Sequence, residues 1–270
     1  MKPFKLLQLQ YQGFLETDFL WFSNDIQQIQ QFNFKQITTS VFTGDSTPKL
    51  RLGKLVERFV SHQLQENTTI DILIENIQVQ NHKITIGELD CILLQDKKPI
   101  HLEIIYKFYL YDKTVGNTEI EHWIGPNRKD SFNQKLDKLT NKQLPLLYND
   151  KTKPILDHLN LSVDEIEQQV YFKGQLFVPY QEFGNYFDEI NNKCIEGFYI
   201  NSKELLLFKD AKFYIPTKRN WLVKPHSNID WLSFKQFSIE ISEYINEKNA
   251  PLCWLKKTNG ELIKLFVVWW

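Results

Sequence analysis

The feature that most constrains this chain is a trio of apolar, strand-length runs set almost end to end: TIDILIENIQVQ, ITIGELDCILLQ and PIHLEIIYKFYLY, within residues 69–111. Asn81-His82-Lys83 separates the first two, and Asp96-Lys97-Lys98 separates the last two. Parallel neighbours need a crossover of a dozen residues or more, so connections this short predict antiparallel strands. A β-meander therefore fixes the middle of the fold, and the flanking segments are read around it.

Ahead of the meander, KLRLGKLVERFVSHQLQEN places Leu52, Leu55, Val56 and Phe59 at i, i+3, i+4 and i+7, the stripe of an amphipathic helix. After it, a loop punctuated by Gly and Pro leads to DSFNQKLDKLTNKQL, a second helix with Phe132, Leu136 and Leu139 on one face and Pro145 as its stop. VDEIEQQV reads as a shorter helix and YFKGQLFVPY as a fourth strand. The order α-β-β-β-α-(α)-β predicts a mixed α/β layer. Beyond residue 182, short aromatic strands (EGFYI, ELLLF, KFYIP), a helix (DWLSFKQFSIEISEYINEK) and two closing strands (PLCWLKK, LIKLFVVWW) predict an α+β appendage. The expected divisions are a helical cover over 1–48, with GFLETDFLWF as its packed cluster, a core over 49–181, and a C-terminal region over 182–270. That last region is either a separate domain or a flank of the same sheet.

The formal charge of -1 gives no global sign of a nucleic-acid partner, although a local basic groove would suffice for one. Cys91, Cys194 and Cys253 are far apart and odd in number. They predict reduced thiols in a cytoplasmic protein rather than a zinc site or a disulfide framework. The opening MKPFKLLQLQYQ lacks the apolar run of a signal peptide, and no segment approaches the length of a membrane span.

The chemistry concentrates in the second and third runs. Side chains alternate across a strand, so in HLEIIYKFY Glu103 and Lys107 share a face while Leu102, Ile104, Tyr106 and Phe108 take the other. Asp90, in GELDCILL, interrupts an apolar run on the neighbouring strand. Burying one acid is costly, and two acids close together resist joint ionisation. A divalent cation would resolve both problems. Mg²⁺ prefers carboxylate oxygens, keeps several waters and bridges to phosphate, and it lowers the pKa of a bound water. A nearby lysine would support the developing negative charge. These are the parts of phosphodiester hydrolysis.

GELD, a short linker and then HLEIIYK resemble the core of the PD-(D/E)XK nuclease superfamily, over roughly residues 50–180. The wider set RLGKLVERF, GELD, HLEIIYKFYL, WIGPNRKD and KLDKLTNKQLPL resembles more specifically a bacterial family, domain of unknown function 1853, over most of the chain. The resemblance implies a restriction-endonuclease-like α-β-β-β-α-β core with a mixed sheet. It implies Asp90 and Glu103 as metal ligands for Mg²⁺ or Mn²⁺, Lys107 as the catalytic lysine, and Glu57 on the first helix as an assisting acid. The superfamily's usual third motif is Glu-x-Lys, whereas here Ile105 stands at i+2 and the lysine at i+4. Parity is kept, with Lys107 roughly 7 Å further along the strand. The expected function is a Mg²⁺-dependent nuclease acting on DNA, with RNA left open as a substrate. The alternative is a nuclease-fold module of little or no activity that binds nucleic acid or a protein, and the bland alternative is a buried acid–lysine ion pair.

Around this centre, Lys135, Lys138 and Lys142 fall on one side of the second helix, and Arg128 and Lys129 precede it. Their functional reading is a phosphate-contacting stripe; a solvated helix face explains them equally well. Glu88 is read as a solvated strand-end acid and His101 as a half-exposed strand residue. Gln134 and Gln143 are indistinguishable from surface glutamines. Trp123 is read as a packing residue. The C-terminal aromatics are mostly core, with PTKRNWLVKPH as the best candidate surface for stacking bases.

Overall fold

A computed structural model describes residues 3–22, 26–34, 41–44 and 50–270. Residues 23–25, 35–40 and 45–49 of the expected N-terminal cover lie outside the described residues. The chain is mixed α/β. In order it forms α1 (Pro3–Leu15), α2 (Leu52–Gln65), β1 (Ile70–Asn81), β2 (Ile84–Gln95), β3 (Lys98–Tyr111), β4 (Trp123–Ile124) and α3 (Phe132–Lys138). Then come α4 (Lys153–His158), β5 (Glu167–Pro179), β6 (Ile195–Asn201), β7 (Lys212–Tyr214), β8 (Leu232–Ser233), α5 (Phe234–Asn246), β9 (Leu252–Lys256) and β10 (Leu262–Val268). The ten strands form a mixed sheet in the order β1-β2-β3-β5-β6-β10-β9-β7-β8, with β4 paired to β3.

The expected meander is present. β1, β2 and β3 pair antiparallel in sequence, and Asp96 and Lys97 between β2 and β3 both take positive φ (49° and 70°). Two such residues make a tight turn whose twist matches the strands it joins. α2 forms where its apolar stripe predicts it and buries Leu52, Leu55, Val56, Phe59, Val60 and Leu64.

The chain divides into two compact units. One comprises Met1–Asp18, Lys107–Asn133 and Gly174–Trp270. In it β6 runs parallel to β5 and β10, and Phe198, Phe213, Phe237, Ile241 and Leu265 centre the core. Gly13 of α1 is required there, because a Cβ would stand 1.9 Å from the Leu222 carbonyl oxygen. The other comprises Phe19–Tyr106 and Gln134–Lys173. Its sheet packs Val79, Leu89 and Ile92 against Leu146, Leu147, Leu156 and Ile166.

Four local expectations need correction. α1 ends at Leu15, so GFLETDFLWF is packed, with Phe14, Leu15, Leu20 and Trp21 buried, but helical only over its first three residues, and Phe19 bridges Lys173 of β5. The second helix is α only to Lys138, widens to a π turn over Leu139–Gln143, and closes as a 3-10 turn over Leu144–Tyr148. Pro145 has no N–H for an α bond and sits in the first turn of that 3-10 segment, where none is needed. VDEIEQQV is a single 3-10 turn, Val163–Glu165, and its latter half opens β5. ELLLF is not a strand but part of a 3-10 helix over Ser202–Phe208, started by a reciprocal Asn201–Glu204 capping box. Its Leu206 and Leu207 are exposed, so an apolar run there did not signal burial.

Candidate carboxylate site

Sheet irregularity places the acids. The β1–β2 ladder passes from Glu75↔Cys91 to Ile77↔Leu89, stepping over Asn76 and Asp90, and Asn76 takes a φ of 55°. On the other side, the β2–β3 ladder runs from Gln95↔Lys98 to Cys91↔Leu102 and stops one step short of Asp90 and Glu103. Asp90 thus sits at a one-pair gap in the β1–β2 ladder, across which the register is unchanged, and one step beyond the end of the β2–β3 ladder. Its Oδ2 accepts from the Ile104 N–H at 2.9 Å, doing the work a ladder carbonyl would have done.

Two further acids gather around it. Glu103 is fully buried, and Glu57 reaches in from α2 with 17% of its side chain exposed. Burial, then the charge of Glu103, then that of Glu57 push the Asp90 carboxyl up to about 7, against the Ile104 hydrogen bond and the Lys135 charge. Glu57 is also raised, by burial first; Glu88 and Glu103 add to this while Lys54 opposes it. The Lys54 ammonium donates to Glu57 Oε2 (2.7 Å), Glu88 Oε1 (2.6 Å) and Asn76 Oδ1 (2.9 Å), which uses all three of its protons. Glu88, with 30% of its side chain exposed, is a partly solvated acid that is also paired with Lys54. Lys54, Glu57, Arg58, Asn76 and Glu88 are among the residues lining a groove of about 510 Å³.

Glu103 is held from the π turn. Gln143 Nε2 donates to Glu103 Oε2, and Gln143 Oε1 accepts from Lys135 Nζ at 2.5 Å. A π turn inside a helix is often found at functional sites, and here it aims Gln143 inward. His101 is also fully buried, contrary to the half-exposed position expected. Its Nε2 lies 3.4 Å from Glu103 Oε1, without the alignment of a hydrogen bond.

The expected residues thus divide. Glu57, Asp90, Glu103 and Lys135 are brought together in one unit, with Lys138 and Lys142 exposed on the turns that follow. Lys107 belongs to the other unit, where its Nζ lies 2.7 Å from Asp130 Oδ2. Arg128 and Lys129 belong to that unit as well; Arg128 pairs with Asp112 and stacks over Trp270, and Lys129 is exposed. Trp123 and Trp221 are buried packing residues, so PTKRNWLVKPH does not present Trp221 for stacking. Gln143, Lys54 and Asn76 went unassigned in the sequence. Of these, only Lys54 carried a usable signal, its i,i+3 spacing to Glu57.

Among the described residues, no three His, Cys, Asp or Glu side chains are set to hold a metal ion. All three cysteines are free and buried, and among the described residues no helix is long and apolar enough to cross a membrane. A donor set of two carboxylates, Asp90 and Glu103, still suits Mg²⁺, which keeps several waters and takes one or two protein carboxylates plus phosphate oxygens. It does not suit Zn²⁺, which asks for three or four N, S or O ligands. Asp90, half-buried, is raised towards neutral pKa first by desolvation and then by the charge of Glu103.

The family described as domain of unknown function (DUF1853) matches residues 27–268, so the chain belongs to that family. No curated protein and no solved structure matches it.

Proposed function

We propose that this member of the DUF1853 family is a divalent-cation-dependent phosphodiesterase of the PD-(D/E)XK type, acting on nucleic acid, with DNA as its substrate ahead of RNA. The observation that carries the reading is Asp90: a half-buried acid beside the fully buried Glu103, at a gap in one ladder and one step beyond the end of the next, raised towards neutral pKa by desolvation and by Glu103. The succession α2-β1-β2-β3-α3-β5 and the strand order β1-β2-β3-β5 support reading the core as restriction-endonuclease-like.

In this reading Asp90 and Glu103 hold Mg²⁺ or Mn²⁺. Once bound, the ion supplies polarisation of a phosphoryl oxygen and a water of lowered pKa. Asp90 and Glu103 would present their carboxylate oxygens to the ion, with Glu103 oriented by Gln143. Glu57 accepts a proton or a water-mediated bond from the same side. Lys138 and Lys142 hold the phosphate backbone electrostatically.

A second reading, a binding module of little activity, is favoured by one contact: Lys107 is engaged by Asp130. A cleavage panel of single- and double-stranded DNA and RNA with Mg²⁺ or Mn²⁺, run with wild type and Asp90→Ala, separates the two. Cleavage by wild type alone supports the enzyme. Binding without cleavage supports the module, and neither activity sinks both.

A further inference from the structure

We infer that His101 is a positioning residue for Glu103, presenting a protonated Nε2 to Glu103 Oε1, and that Gln168 on β5 sets this tautomer. The catalytic weight of the inference rests on the cation-dependent reading above; its structural part does not.

The tautomer follows from hydrogen-bond logic. One terminal atom of Gln168 lies 2.6 Å from the Leu144 carbonyl oxygen, which can only accept, so that atom is the amide nitrogen. The same nitrogen lies 3.0 Å from His101 Nδ1. Its two protons serve the two contacts, so Nδ1 accepts and carries no proton. In a neutral imidazole the proton then resides on Nε2. Nε2 faces Glu103 Oε1 at 3.4 Å. Both side chains are fully buried, and neither of these two atoms has a hydrogen-bond partner elsewhere. Hydrogen bonds at catalytic groups are often long and misaligned until the site is loaded, and a small rotation of either side chain would close this one.

The other oxygen of Glu103 is controlled by the same logic. An ammonium can only donate, so the Gln143 atom 2.5 Å from Lys135 Nζ is Oε1, and Nε2 must face Glu103 Oε2. Each carboxylate oxygen of Glu103 therefore meets one neutral donor, and a third group locks the orientation of each donor. His101 itself offers no lone pair to a cation, because Nδ1 is occupied by Gln168 and Nε2 bears the proton. That leaves an oxygen-only donor set, which fits a hard cation.

The first test is long-range ¹⁵N–¹H NMR of the wild-type imidazoles without added metal. His101 should show a protonated Nε2 and an unprotonated Nδ1; the reverse tautomer would overturn the inference. Gln168→Glu places an acceptor beside Nδ1 and should move a proton onto it. The second test is Mn²⁺ titration followed by electron paramagnetic resonance. Outer-shell partners of metal ligands are typically worth 10–100-fold in affinity, so His101→Leu should weaken Mn²⁺ binding by about that factor. His101→Asn keeps an N–H donor and should recover most of the loss. Equal Mn²⁺ affinity in wild type and His101→Leu would overturn the positioning role alone. No Mn²⁺ binding by wild type, with the expected tautomer intact, would overturn the cation reading and leave the tautomer assignment standing. The wild-type NMR readout holds even if a variant fails to fold.

Discussion

Replacing Asp90 with asparagine should stabilise the fold more at pH 8 than at pH 5. In the unfolded chain the carboxyl has its ordinary value of 3.8; in the folded chain burial and Glu103 hold it at about 7. Between those two values the native state keeps a proton that the unfolded state has lost, so stability falls as pH rises through this window. Above it the ionised carboxylate costs the folded state about 4 kcal/mol, since each pH unit of displacement is worth about 1.4 kcal/mol. Asparagine retains an oxygen to accept from the Ile104 N–H, now 2.9 Å away, and has nothing to ionise. Urea denaturation at both pH values should therefore show the variant's advantage growing by about 2 to 4 kcal/mol from pH 5 to pH 8. Saturating Mg²⁺ at pH 8 should narrow the gap, because a ligand bound only by the native wild type stabilises it by mass action. A stability difference that is the same at both pH values would refute the reasoning.

Three further outcomes are expected. Lys107→Ala should cost at most about 1 kcal/mol in urea denaturation, because its ion pair with Asp130 is partly exposed and screened by solvent; a larger loss would contradict that reading of the pair. Lys138→Ala combined with Lys142→Ala should flatten the salt dependence of nucleic-acid binding by about two phosphate contacts, measured by fluorescence anisotropy across a salt series, and an unchanged slope would make these a solvated face. Phe59→Ala should cost about 3 to 5 kcal/mol in urea denaturation, because Phe59 is fully buried and packs edge-on against Phe42 with ring centroids 4.9 Å apart; a loss below about 1 kcal/mol would contradict that packing.

Periodicity made the meander and α2 legible, since one face of each had to be apolar at a fixed spacing. It failed at ELLLF and in the segment after Lys138, where a capping box and Pro145 decided the local conformation against the apolar pattern. Asp90 and Glu103 stood out because acids interrupt apolar strands. Their supports did not, because Gln143 and Gln168 look like any surface glutamine until the fold turns them inward. Strand parity put Lys107 on the side of Glu103, but it carries no information about Asp130, a partner 23 residues away. Likewise, nothing in the sequence around Arg128 signals its pairing with Asp112. What the chain hides is thus chiefly pairing between distant polar residues, which no local pattern encodes.

The central claim is that the Asp90–Glu103 pair seats a divalent cation. It is tested most directly by counting Mn²⁺ bound to wild type and to Asp90→Asn at pH 8 by electron paramagnetic resonance. The account predicts bound Mn²⁺ on wild type that is lost in the variant and displaced by excess Mg²⁺. Equal binding by the two proteins, or none by wild type, would contradict it.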